Sequence, residues 1–275
     1  MIAATSLRGI WSAVLTPVDE RFEPDAPRAV AYYRDLLADG IDGINLLGTT
    51  GEAMSFSATQ RLRLMEAVAA SVPHDRIMCG TGASALADAA QLTQAASELG
   101  FCAALIMPPF FYRDATGGGI LRFFDALFSR TGSLRCTVVL YNFPRMSGIT
   151  FSADLIDRLN TEFPGTIGGM KDSSNDRELQ RELLARNPSF RIFPGAENYL
   201  IEAKTAGAAG CISGTVCLWP RLANDAFTTG DAALGTQVRD LRDSLTGAPL
   251  IAVVRARVAT ARKDDTWLRT MPPNT

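Results

Sequence analysis

Short apolar runs alternate with amphipathic helical stretches from one end of this chain to the other, and no other feature narrows the choice of fold as much. The first run is Gly9-Ile10-Trp11-Ser12-Ala13-Val14-Leu15, stopped by Thr16-Pro17. A helical stretch over residues 26–38 follows and ends at Asp39-Gly40. The pattern repeats as Gly43-Ile44-Asn45-Leu46-Leu47 and a Ser57-capped helix to residue 71, Arg76-Ile77-Met78-Cys79 and a helix over 85–99. Ala103-Ala104-Leu105-Ile106 leads to a helix over 119–129, and Cys136-Thr137-Val138-Val139-Leu140 to one over 152–162. Thr166-Ile167-Gly168-Gly169-Met170 precedes a helix over 177–186 opened by the capping cluster Ser173-Ser174-Asn175-Asp176. Phe190-Arg191-Ile192-Phe193 leads to a helix reaching residue 206, and Gly210-Cys211-Ile212-Ser213 to two or three helices over 219–263.

Runs that are apolar throughout, rather than at every second residue, are covered on both faces, as in a parallel sheet. Eight strand–helix units in a chain of 275 residues suit a closed (β/α)8 TIM barrel. An open doubly wound sheet is the alternative. No linker, charge block or low-complexity stretch divides the chain. The expected organisation is therefore a single domain, with a barrel over about 9–218 and a C-terminal helical extension over about 219–275.

Charge and residue counts remove several classes of function. Lys plus Arg number 27 against 29 Asp plus Glu, a net charge of −2. With no basic stripe, neither nucleic acid nor an anionic membrane is an expected partner. No apolar run approaches membrane-spanning length, and Met1-Ile2-Ala3-Ala4-Thr5 has no apolar leader core. The five cysteines are scattered, without C-x-x-C or Cys/His ligand spacing, and read as small buried hydrophobes in a reducing compartment. A cytoplasmic location is expected. The single histidine, His74, follows Pro73 in a helix-to-strand loop and cannot build a multi-histidine metal site. No metal or cofactor is expected. Gly117-Gly118-Gly119 lacks the Lys and Ser/Thr of a phosphate loop and reads as a flexible lead-in to the next helix.

In a barrel of this kind the active site lies where strands run into helices. That rule gathers Thr49 and Thr50, Tyr141, Lys171, Gly195 and Ser213 on one rim and leaves His74 on the opposite face. Taken alone, Lys171-Asp172 is an ordinary solvated pair. At the end of a core strand, however, an ammonium is costly to bury unless it is paired or neutral. A neutral amine attacks ketones to form a Schiff base. Free lysine is under ~0.1% neutral at pH 7, so burial must lower its pKa by about 2–3 units, or roughly 3–4 kcal/mol. Alternation places Ile167, Gly169 and Lys171 on one strand face, and Gly168 and Met170 on the other. Gly48-Thr49-Thr50-Gly51 offers hydroxyls and backbone N–H groups as a nest for a small carboxylate, or is a simple turn and cap. Tyr141 can shuttle a proton through its phenol or simply pack the barrel mouth, and Asn142 and Pro144 shape its loop.

Three motifs stand in order on successive strand ends: Gly48-Thr49-Thr50-Gly51-Glu52, Tyr141-Asn142-Phe143-Pro144 and Gly169-Met170-Lys171-Asp172-Ser173-Ser174. Together they resemble those of the dihydrodipicolinate synthase / N-acetylneuraminate lyase family, the class I pyruvate-dependent aldolases, over residues 9–272. The resemblance implies that Lys171 is the Schiff-base lysine and Tyr141 the proton shuttle. Thr49 and Thr50 would hold the carboxylate of a 2-oxo acid, usually pyruvate, with Gly195, Glu197, Asn198, Ile212 and Met146 around the rest of the substrate. It also implies homodimers paired into tetramers, with the aromatics Phe110, Phe111 and Tyr112 near a subunit contact. Set beside the family, this sequence is expected to lack the last C-terminal helix.

The departures bear on substrate. In the synthases the fifth residue after the motif tyrosine is an arginine that grips the second substrate's carboxylate; here it is Met146, with Arg145 one place earlier. The tyrosine that joins the proton relay from a neighbouring subunit is replaced by Phe111, with Tyr112 one place beyond. Gly214 stands where sialic acid lyases carry a serine. A thioether offers no donor to a carboxylate, whereas Glu197 and Asn198 suit hydroxyls. The leading expectation is a Schiff-base aldolase or dehydratase acting on a 2-keto-3-deoxy sugar acid, with a neutral aldehyde partner. A dihydrodipicolinate synthase in which Arg145 replaces the missing arginine is the alternative, and a 2-oxo acid-binding barrel without turnover the third reading.

Overall fold

The computed structural model describes residues 7–274. Eight strands run β1 (Gly9–Ala13), β2 (Gly43–Leu46), β3 (Ile77–Gly80), β4 (Ala103–Ile106), β5 (Thr137–Asn142), β6 (Ile167–Asp172), β7 (Arg191–Pro194) and β8 (Gly210–Ser213). All neighbours are parallel, and β8 pairs with β1 in register Ile10↔Cys211 and Trp11↔Ile212. At the remaining seam, between β7 and β8, the Ala209 N–H donates to the Ile192 carbonyl at 2.9 Å. The sheet therefore curls into a nearly closed barrel, not the open doubly wound alternative.

The helices α1 (Ala26–Ala38), α2 (Ala58–Ala69), α3 (Leu86–Glu98) and α4 (Gly117–Thr131) separate the first five strands. They are followed by α5 (Pro144–Ser147), α6 (Ala153–Glu162), α7 (Arg177–Arg186) and α8 (Leu200–Thr205) between the remaining strands. The C-terminal extension is α9 (Pro220–Thr229), α10 (Ala232–Asp243) and α11 (Leu250–Arg262). Local chemistry accounts for the starts. Ser57 and Gln60 form a reciprocal capping box on α2, and Ser152 and Asp176 cap α6 and α7. Two details differ from expectation. Gly117-Gly118-Gly119 is the first turn of α4, because the Thr116 hydroxyl accepts the Gly119 N–H at 3.2 Å and fixes the start. Pro144, preset for a first helical turn, begins the unexpected α5, closed by Gly148 at φ +72°.

Side chains sort into an inner layer and two outer shells. Trp11, Met78, Leu105, Val139, Phe193 and Ile212 fill the barrel, and Gly43 leaves room for the Trp11 indole, which a Cβ there would strike. One shell lies outside β1–β3 and β8, the other outside β4–β7. Ile167 belongs to that second outer shell together with Met170, which corrects the simple alternation along β6. The pairing with β5 shifts between Val138 and Val139, so Val138 faces Ile167 while Val139 faces Gly169. This irregularity absorbs Gly168 and turns Ile167 outward.

All five cysteines are buried and unpaired; burial pushes the Cys79, Cys102 and Cys217 thiols up to about 12 and Cys136 to about 11. Among the described residues no helix is long and apolar enough to cross a membrane, and no three His, Cys, Asp or Glu are grouped to hold a metal. His74 is exposed in a turn before β3, its Nε2 2.8 Å from the Ala69 carbonyl. The reading of residues 1–5 as free of a leader lies outside the described residues.

Candidate active site

At the carboxyl end of the barrel the inner layer changes from apolar to reactive. Tyr141 and Lys171 are cross-strand partners on β5 and β6, which brings their side chains together inside the barrel. Lys171 is 4% exposed, and its Nζ sits 4.5 Å from the centroid of the Tyr141 ring. Among the described residues no carboxylate pairs with that nitrogen. The phenol of Tyr141 is 3.4 Å from the Thr49 hydroxyl, and Phe143 stacks on the Tyr141 ring at 5.6 Å between centroids. Ile212 and Phe193 belong to the same apolar inner layer. Lysine, tyrosine and threonine thus converge at the ends of three strands, with the lysine side chain buried.

The β2 loop is shaped by unusual backbone. Leu47 (φ +53°) and Glu52 (φ +54°) both adopt the left-handed conformation that side chains disfavour, and they bracket Gly48–Gly51. Within the bracket, Glu52 N–H closes onto the Thr49 carbonyl at 3.0 Å. Among the described residues, none accepts the N–H groups of Thr49, Thr50 or Gly51. Thr50 is buried and packs against Gly214 at the end of β8, where an added Cβ would lie 2.5 Å from its hydroxyl. Small size at Gly214 is therefore what sets the position of Thr50.

The floor of the rim is a polar network barely legible in the sequence. Asp172, the last residue of β6, is fully buried. One carboxylate oxygen accepts from Asn142 (2.8 Å), the Ser174 hydroxyl (2.7 Å) and the Ser174 N–H (3.1 Å); the other accepts from Gln180 (2.6 Å). Gln180 also donates to Tyr199 at 3.1 Å, whose hydroxyl burial pushes up to about 12. Asn142 in turn accepts the Phe151 N–H at 3.2 Å, so it shapes the loop after β5. Four groups bonded to Asp172 hold the strand ends that carry Tyr141 and Lys171. The only signal in the sequence was a polar residue closing each of two apolar strands.

On the β7 side, Gly195 presses so closely on Ser173 that a Cβ would overlap its hydroxyl. Glu197 is fully buried; Oε1 accepts the Thr215 hydroxyl at 2.5 Å, Thr215 lies 3.0 Å from Ser213, and Oε2 faces the Arg242 guanidinium of α10 at 3.8 Å. The Asn198 amide donates to Asp243 at 3.1 Å. Both residues, expected beside substrate hydroxyls, thus already engage the C-terminal extension. Met146 is 48% exposed on α5, next to the exposed Arg145.

Comparison with known proteins agrees with this geometry. The sequence pattern of the Dihydrodipicolinate synthetase family matches residues 6–261. A DapA-like lyase of Chloroflexus aurantiacus is 36% identical over 253 residues, spanning 89% of this chain and 84% of that protein. An N-acetylneuraminate lyase of Escherichia coli is 30% identical over 213 residues, 77% of this chain and 70% of that protein. The crystal structure of dihydrodipicolinate synthase from Agrobacterium tumefaciens superposes with a TM-score of 0.90 at 27% identity, covering 97% of this chain and 93% of the other. The reading of a binding barrel without turnover gives way accordingly. Built as an eight-stranded barrel with lysine, tyrosine and threonine on one rim, this chain belongs to the dihydrodipicolinate synthetase family and is a lyase of the aldolase type.

Proposed function

We propose that this lyase forms a Schiff base between Lys171 and pyruvate or another 2-oxo acid, and that its physiological substrate is a 2-keto-3-deoxy sugar acid. The observation that carries the reading is the buried, unpaired Lys171 amine 4.5 Å from the Tyr141 ring, with the Tyr141 phenol 3.4 Å from Thr49. In this mechanism the neutral amine attacks the ketone carbon, forming a C–N bond while the carbonyl oxygen takes a proton through Tyr141. A further proton taken up by that hydroxyl lets it leave as water, which gives the iminium. That cation accepts the electron pair released when the adjacent carbon–carbon bond breaks, or when the neighbouring carbon loses a proton ahead of dehydration. Thr49 and Thr50, with the open N–H groups of their loop, would hold the substrate carboxylate. Gly195 and Ile212 would wall the pocket.

The test is covalent. Borohydride in the presence of pyruvate is expected to add one reduced pyruvate to Lys171, located by peptide mass spectrometry, and Lys171→Ala to abolish it. A label on another lysine, or none, removes the mechanism.

Selectivity for the second half of the substrate follows from the distal rim. Arg242 faces Glu197 at 3.8 Å and offsets its charge, so discrimination against a second carboxylate rests on Met146. Its thioether offers a second carboxylate no donor, and because the side chain is half exposed, solvent limits the penalty to a modest one. A neutral hydroxylated or apolar aldehyde is the expected partner. One observation favours a second reading, dihydrodipicolinate synthase: Arg145, exposed on the same turn, makes no ion pair among the described residues. Coupling pyruvate with glyceraldehyde and, separately, with aspartate semialdehyde separates the two. The first reading expects glyceraldehyde to turn over faster; faster semialdehyde turnover that is lost in Arg145→Ala establishes the second. Five buried, unpaired cysteines support operation in the reducing cytoplasm.

A further inference from the structure

Glu52 closes the β2 loop motif, yet its side chain engages the C-terminal extension. It is fully buried, as is Arg255 of α11. Oε2 of Glu52 accepts from Arg255 Nε at 3.1 Å and also pairs with Nη2 of the same guanidinium. Oε1 accepts from the Met271 N–H at 3.0 Å and the Asn274 amide at 2.8 Å. Arg255 then donates to the Thr16 carbonyl at 2.8 Å, just past β1, and to the Trp267 carbonyl at 3.3 Å. One carboxylate therefore joins the β2 loop to the end of β1, to α11 and to the last described residues of the chain.

We propose that Glu52 and Arg255, with Met271 and Asn274, are positioning residues for the carboxylate-binding loop. Glu52 holds a left-handed backbone at φ +54°, and the residues immediately before it are Thr49, Thr50 and Gly51, whose N–H groups meet no acceptor among the described residues. Every neighbour of the Glu52 oxygens is a donor. An amide in its place must turn its NH2 group on at least one of them, which frees the loop to relax. The C-terminal tail, far along the sequence from the site, thereby sets the affinity for the 2-oxo acid without touching it.

This inference rests on the reading of Thr49 and Thr50 as the carboxylate site, and the test separates the two. Pyruvate trapping by borohydride is followed against pyruvate concentration in the full-length protein, its Glu52→Gln variant and its Asn274→Ala variant. The half-saturating pyruvate concentration is expected to rise about tenfold in Glu52→Gln and roughly threefold in Asn274→Ala, with the saturated trapping rate held within about twofold. Amide hydrogen exchange of the ligand-free proteins is expected to quicken in the segment 47–56 and not across the barrel. Unchanged half-saturation in Asn274→Ala, or exchange that quickens evenly everywhere, would overturn the proposal. Asn274→Ala decides the matter should Glu52→Gln fail to fold. If the unaltered protein traps no pyruvate at all, the functional reading falls, and the exchange pattern still decides whether the tail orders the loop.

Discussion

A single atom of side chain matters at the β8 rim. Gly214 faces Thr50 so closely that a Cβ would sit 2.5 Å from its hydroxyl and 2.9 Å from its methyl group. Thr50 lies within the loop whose backbone is already left-handed at both ends, so it has little room to retreat. Gly214→Ala is therefore expected to destabilise the protein by about 1–3 kcal/mol, read as a lower Tm, and to weaken pyruvate trapping. An unchanged Tm with unchanged trapping would show that Thr50 yields freely. By the same reasoning a serine at this place does not suit this chain without rearranging the loop. Lys171 depends on a different residue-scale fact. Its neighbours inside the barrel are the Tyr141 ring, 4.5 Å from Nζ, and apolar side chains, and among the described residues no carboxylate pairs with it.

Among the elements, α4 shows how a start signal outweighs propensity. Three glycines open the helix, each less favourable there than alanine, and the Thr116 cap alone fixes the first turn. Gly118 has a negative φ and open space around it, the nearest atom to an added Cβ being the Thr116 hydroxyl at 3.9 Å. Gly118→Ala should thus stabilise the protein by about 0.5–1 kcal/mol, measured as a higher urea midpoint with an unchanged m-value. A loss of stability would mean that the turn needs the freedom of glycine. Strands β5 and β6 act as a unit for a related reason. Their register pairs Tyr141 with Lys171 and Asn142 with Asp172, so the reactive pair rests directly on the hydrogen-bonded one.

For the whole molecule, the unexplained surface lies beyond β4. Phe110 turns into the barrel mouth, while Phe111 and Tyr112 are 75% and 72% exposed and pack on each other edge to face. Two large adjacent aromatics in water are suited to a subunit contact. Light scattering at micromolar concentration is expected to give a dimer or tetramer, and Phe111→Asp to shift it toward smaller species. A monomeric unaltered protein would contradict the assembly. Because the rings follow β4 at the carboxyl end of the barrel, such a contact would lie beside the site.

The alternation of uniformly apolar strands with amphipathic helices settled the architecture, because strands covered on both faces can be buried only in a parallel sheet. Local signals at Ser57, Ser152 and Asp176 likewise marked helix starts, since a cap acts within a single turn. Motif spacing put Lys171, Tyr141 and Thr49 on one rim for the same reason: every strand end of a barrel lies at one face. Contacts between distant parts of the chain were not legible. The slip at Gly168 depends on the register of β5, and the engagement of Glu197 by Thr215 and Arg242 depends on where α10 docks. The bond from Glu52 to Arg255 spans two residues about 200 positions apart in sequence. Local pattern reports which face of an element is buried and where it begins; which charged partner meets it there is decided only when the remote segments pack.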